Sequence, residues 1–150
     1  GVYHLEELWK FSTDNQARLK RLLGASYEDN RGIYIEASPI HSIEKALTHP
    51  IFDTSYFLTW GKTDKVIPPT QSVNFSKKLR NAGIQTETFE IPDKGHFWFN
   101  VLPKVEGGRM KDYPNTKVAP KVLTFLKKVL CEEEIGNFSI SRIEQLKSLM

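Results

Sequence analysis

At 150 residues the chain is long enough for one domain with its own core, and 39% hydrophobic with 26% charged residues is ordinary for a globular protein. A net charge of +3 spread along the chain argues against a nucleic-acid surface, and no apolar run approaches the ~20 residues that cross a bilayer. One cysteine, Cys131, excludes an intrachain disulfide; among apolar helix positions it reads as a buried thiol rather than a nucleophile.

The opening Gly1 to Leu5 (GVYHL) is not a signal peptide, and the expected location is cytoplasmic. Its aromatic and β-branched residues predict the tail of a strand running into a loop. Ser12-Thr13-Asp14 offers cap oxygens to a helix carrying Leu19, Leu22 and Leu23 and closed by Gly24. Ala25 to Pro39 reads as irregular, with Gly32 and Pro39 as breakers, and Ser42 to Leu47 as a short helix. Pro50 disfavours the α region at His49 and supports the stop there.

Tyr56 to Trp60 is a nearly continuous apolar run bounded by Gly61, the pattern of a central parallel strand covered on both faces. Pro68-Pro69 opens a helix with Val73, Phe75, Leu79 and Ala82 as its apolar positions and Gly83 as its stop. Ile84 to Ile91 alternates as a strand, with Phe89 and Ile91 on the more buried face, and Pro92-Asp93-Lys94-Gly95 is turn chemistry. Val101 to Thr116 reads as loop. Pro120 then falls in the first turn of a helix whose stripe is Val122, Leu123, Phe125, Leu126, Val129 and Leu130, broken by Gly136. Ser141-Arg142-Ile143-Glu144 is a capping box before a last amphipathic segment with Ile143, Leu146 and Leu149. Lys77, Lys78 and Arg80 on one helix, and Lys121, Lys127 and Lys128 on another, read as solvated faces.

This order of elements predicts an α/β layer architecture with a mostly parallel sheet. Three visible strands make a thin sheet with an open edge, and the natural place for more strands is before Gly1.

The chemistry concentrates at two turns. Gly61 lets the chain turn off one strand, Asp64 projects from that turn, and Pro68-Pro69 stiffens the approach to the helix. Gly95-His96 follows the next strand. Asp64 and His96 are therefore predicted just past the C-terminal ends of adjacent strands, the edge at which open α/β sheets bind ligands. A carboxylate there can hold an imidazole through Nδ1 and fix its tautomer. His4, His41 and His49 lack such a setting and read as structural or solvent-facing. Phe97-Trp98-Phe99 reads equally as cleft lining or as core. No HExxH, CxxC or phosphate-binding glycine loop is present, so neither metal nor organic cofactor is implied.

The segment from Ser55 to Phe99 resembles the C-terminal half of the α/β-hydrolase family. GKTDKVIPP is similar to the acid-bearing turn, QSVNFSKKLRNAG to the helix after it, and PDKGHFWF to the catalytic-histidine turn. GVYHL resembles the strand after the nucleophile unit, and ASPI at Ala37 to Ile40 a segment before the acid strand. Such features occur in esterases of the arylformamidase and carboxylesterase type and in prolyl-oligopeptidase peptidases, and the likeness extends over most of Gly1 to Leu130. It implies residues 1–135 as the C-terminal part of a three-layer α/β-hydrolase domain and 136–150 as an amphipathic helix or tail. It also implies Asp64 as the acid and His96 as the general base of a serine hydrolase. The substrate would be a small-molecule ester or amide, or a peptide.

The family's G-x-S-x-G nucleophile elbow and its oxyanion loop are not in this sequence. The nearest serine context, Gly24-Ala25-Ser26-Tyr27-Glu28, lacks the second glycine and follows a helix instead of opening one. The family order Ser, Asp, His puts the serine in an upstream half of the same protein, and the chain alone is expected to be inactive. The alternative is a catalytically inactive, truncated hydrolase fold used as a binding or regulatory module. A flavodoxin-like nucleotide binder has the layer pattern but not the phosphate loop.

Overall fold

The computed structural model describes residues 1–49, 54–98 and 111–130. In chain order these form α1 (Leu5–Phe11), α2 (Thr13–Leu23), α3 (Arg31–Glu36), α4 (Pro39–Leu47), β1 (Tyr56–Gly61), α5 (Thr70–Asn81) and β2 (Thr86–Ile91). A further helix, α6, covers residues 115–130. None of the described helices is long and apolar enough to cross a membrane.

β1 and β2 pair in parallel, from Tyr56 opposite Thr86 to Gly61 opposite Ile91, and α5 is the crossover between them. The expected parallel neighbours are thus observed. Strand alternation sends successive side chains to opposite faces. On one face Leu58 and Trp60 pack with Phe75 and Leu79 of α5, Ile40 and Ile43 of α4, and Ile84. On the other, Phe57 meets Phe125 of α6 at 5.6 Å between ring centroids, and Ile91 packs with Trp98 and Val118. Helix, sheet and helix form three layers.

Several elements depart from the sequence reading. Gly1 to His4 has no strand, and Leu5 already begins α1. Leu5, Leu8 and Trp9 recur at helical spacing and are buried, with Glu6 and Glu7 favourably placed in the first turn, so helix signals outweigh the β-branched content. Two strands, not three, occur among the described residues. The stretch expected to be irregular contains α3 and the start of α4. Asn30 caps α3 by accepting from Ile33 N, and Pro39 sits at the start of α4, where a missing N–H costs nothing. Pro120 lies inside α6 rather than in its first turn, because the helix starts at residue 115.

The helix over Thr13–Leu23 is capped as expected. Ser12 accepts from Asn15 N, and Gly24 ends it at φ 79, a left-handed conformation costly for other residues. Leu22, however, is 75% exposed, and Val73, Leu123, Leu126 and Leu130 also face outward. The inward stripe of α6 is Val118, Val122, Phe125 and Val129, at helical spacing. The basic side chains are largely engaged: Lys78 with Glu44 at 3.3 Å, Lys128 with Glu87 at 3.6 Å, and Lys121 over the Phe89 ring. Pro50, Phe99, most of the Val101–Thr116 loop, Cys131, Gly136 and the Ser141 capping box lie outside the described residues, as does the boundary at 135.

Candidate active site

Two turns leave the C-terminal ends of the parallel pair and are stitched together. Lys62 N donates to Ile91 O at 2.9 Å, and Lys94 O accepts from both the amide (3.0 Å) and the hydroxyl (2.9 Å) of Thr63. Gly61 makes this approach possible. A Cβ on it would lie 2.3 Å from Lys94 O and 2.5 Å from Gly95 O. Its φ is not in the left-handed region. The glycine is therefore needed for space, not for the conformational freedom that the sequence suggested.

Asp64 projects from the first turn and His96 from the second. Asp64 Oδ1 accepts from the amides of Val66 and Ile67, both at 2.9 Å, which fixes the carboxylate plane. Oδ2 lies 2.8 Å from His96 Nδ1, inside the reach expected from the strand-end placement. A carboxylate can only accept, so Nδ1 carries the proton and Nε2 of the neutral ring is the basic nitrogen. The Asp64 side chain is 10% exposed and that of His96 is 26% exposed. The bond is thus shielded from water while the imidazole remains accessible.

Of three buried polar residues that the sequence reading passed over, one braces the Asp64 turn and two fix the N-terminal segment. Buried Asn15 of α2 donates through Nδ2 to Val66 O at 3.2 Å, gripping the acid turn from the helical side. Gln71 of α5, fully buried, accepts through Oε1 from Tyr3 N (2.9 Å) and His4 N (2.8 Å). Its Nε2 donates to His4 O and to Glu7, so the amide is satisfied on both sides. Ser38, from the ASPI segment, accepts from Leu5 N at 2.9 Å and donates to Tyr34 O. A signal did exist for two of these. Gln71 falls one helical turn before Phe75 and Leu79 on the same face, and Asn15 one turn before Leu19. A polar residue continuing an apolar stripe must find partners when buried.

The aromatic run after His96 divides. Trp98 is buried with Ile91 and Val118, whereas Phe97 is 57% exposed and meets the His96 ring edge to face at 4.9 Å. His4 and His41 pack against each other at 5.2 Å. The His41 imidazole is held below its ordinary range, first by burial and then by the neighbouring His4 and Lys78. Ser26, set aside as a nucleophile, bonds Asp29 within a turn. Among the described residues, no group of three or more His, Cys, Asp or Glu side chains is placed to hold a metal ion.

Comparison with known proteins places this geometry in context. The model of the prolyl oligopeptidase family matches residues 6–133. Esterase LipQ of Mycobacterium tuberculosis (strain ATCC 25618 / H37Rv) is 32% identical over 76 residues, covering 50% of this chain and 17% of LipQ. Esterase 2 of Thermogutta terrifontis, solved after phosphonylation by sarin, superposes with a TM-score of 0.57 at 20% identity, covering 79% of this chain and 36% of the esterase. The native form of that thermophilic esterase gives 0.55 at 20% identity, over 85% of this chain and 39% of its own. The chain thus spans well under half the length of each relative.

Proposed function

This chain belongs to the prolyl oligopeptidase family and carries part of an α/β-hydrolase fold, and we propose that Asp64 and His96 are the acid and base of a Ser-Asp-His triad. Hydrolase chemistry of the esterase or peptidase kind follows from the family and its relatives. One observation carries the finer reading: the Nδ1–Oδ2 bond of 2.8 Å at the C-terminal ends of two adjacent parallel strands.

The serine belongs to an upstream half of the same protein. His96 Nε2 takes the proton from the serine hydroxyl as Oγ attacks the acyl carbon. The imidazolium then passes that proton to the leaving oxygen or nitrogen as its bond to carbon breaks. Water repeats the sequence on the acyl-enzyme and releases the acid. Asp64 holds the ring in the tautomer that leaves Nε2 basic and stabilises the imidazolium that forms; the Val66 and Ile67 amides stop the carboxylate from turning away. The names of LipQ and esterase 2 favour a small-molecule ester as substrate. Residues 1–135 act as part of the catalytic domain in this reading.

The full-length protein, with its upstream half, should label stoichiometrically with a serine-directed phosphonofluoridate and hydrolyse activated esters. His96→Ala should reduce both by several orders of magnitude, since only oxyanion and binding contributions would remain. The 150-residue chain alone should neither label nor turn over. A full-length protein that neither labels nor hydrolyses esters would favour a binding or regulatory module instead.

A further inference from the structure

Phe97 is one of several large apolar side chains that face outward, and it is the one beside His96. It is 57% exposed, yet its ring stands edge to face against the His96 imidazole at 4.9 Å. Both ends of the turn that carries it are fixed. Lys94 O is held twice by Thr63, and Trp98 is sunk into the core beside Ile91 and Val118. With Trp98 anchored inward, Phe97 is directed outward beside the imidazole. Among the described residues it is Trp98, not Phe97, that packs into the core at this turn.

In a triad the imidazole is also the group that protonates the leaving atom, so the leaving group must come within hydrogen-bond reach of Nε2. Whatever is bonded to that atom lies beside the imidazole, against which the Phe97 ring stands edge to face. We propose that Phe97 is the wall against which the alcohol portion of the substrate packs, so that the enzyme selects esters of bulky apolar, above all aromatic, alcohols. This rests on the triad reading above. Phe97 acts on acylation alone, because the alcohol has departed before water attacks the acyl-enzyme.

The test uses the full-length protein and acetate esters of alcohols of similar acidity, ethyl and benzyl, so that chemistry at the leaving oxygen is matched. Benzyl acetate should be preferred by kcat/KM. Phe97→Ala should lower the benzyl-to-ethyl ratio about fivefold to tenfold, the worth of one aromatic contact. Phe97→Leu should recover part of it. Labelling by a phosphonofluoridate, whose departing fluoride has nothing to pack, should fall by less than benzyl turnover does. Equal losses for both esters and for labelling would show that Phe97 merely supports His96, and would overturn the proposal. A benzyl-to-ethyl ratio unchanged in both variants would overturn it equally. Absence of labelling and turnover in the wild-type protein would refute the triad reading, and this proposal with it.

Discussion

Replacing Gly61 with alanine tests how the two turns are held together. A Cβ there would sit 2.3 Å from Lys94 O, 2.7 Å from Lys94 C and 2.5 Å from Gly95 O, all of them backbone atoms. No rotamer change can relieve contacts with backbone, so the turns themselves must separate, by about 1 Å before ordinary van der Waals spacing is reached. The same displacement applied to His96 Nδ1 and Asp64 Oδ2, now 2.8 Å apart, would take that bond to roughly 3.8 Å, beyond hydrogen-bonding range. Overpacking of this kind costs about 1–3 kcal/mol in stability. A 1 Å misplacement of catalytic groups costs on the order of 10²-fold in rate. In the full-length protein, Gly61→Ala should therefore lose about two orders of magnitude in phosphonofluoridate labelling rate and unfold at lower urea concentration. An alanine variant with wild-type labelling and an unchanged unfolding midpoint would refute the reasoning, since the close approach would then be dispensable.

Three further outcomes are expected. Asp64→Asn can keep the Oδ1 bonds to Val66 and Ile67 while presenting an amide donor to Nδ1, so the fold should persist and kcat fall by about 10⁴-fold through the wrong imidazole tautomer. Gln71→Leu strands the amides of Tyr3 and His4 and should cost about 2–6 kcal/mol by urea unfolding, at roughly 1–3 kcal/mol per unpaired group. His41, followed by NMR titration, should show a pKa below the ordinary 6.5. Its folded form binds the proton less readily than the unfolded chain does, so the stability present above pH 6.5 is lost as pH falls from there through the lower folded value. Removing the charge of Lys78 should move the His41 midpoint upward.

The sheet and its crossover were legible because their signals are local. A short apolar run bounded by Gly61, a helix opened by Pro68-Pro69 and an alternating run to Ile91 each fit within a dozen residues, and their order dictated a parallel pair. The helices α1 and α3 were obscured because each is short enough for one misleading feature to dominate. GVYHL carried β-branched and aromatic residues into the start of α1, and Gly32 disguised α3. On α6 the apolar residues outnumber the positions that can face inward, so a stripe drawn through all of them included Leu123, Leu126 and Leu130, which the structure leaves exposed. Only Val118, Val122, Phe125 and Val129 keep the helical period toward the sheet.

The site divides along the same line, between what is local and what is distant. Asp64 and His96 announce themselves because each ends a strand, and strand ends of a parallel sheet share an edge whatever the intervening chain does. The buried polar bracing does not, because its partners lie far away in sequence: Asn15 grips the Asp64 turn through Val66, while Gln71 with Tyr3 and His4, and Ser38 with Leu5, fix the N-terminal segment. The role of Gly61 was hidden for the same reason, its obligatory neighbours being Lys94 and Gly95. Buried polar groups must be paired, so a polar residue in line with an apolar stripe announces that some distant backbone needs it, but not which one. That asymmetry has a consequence for the chemistry. The placement of Asp64 and His96 is set by topology, but the 2.8 Å between them depends on one missing Cβ and on hydrogen bonds that cross the chain. Substitutions that leave Asp64 and His96 themselves untouched can therefore separate them.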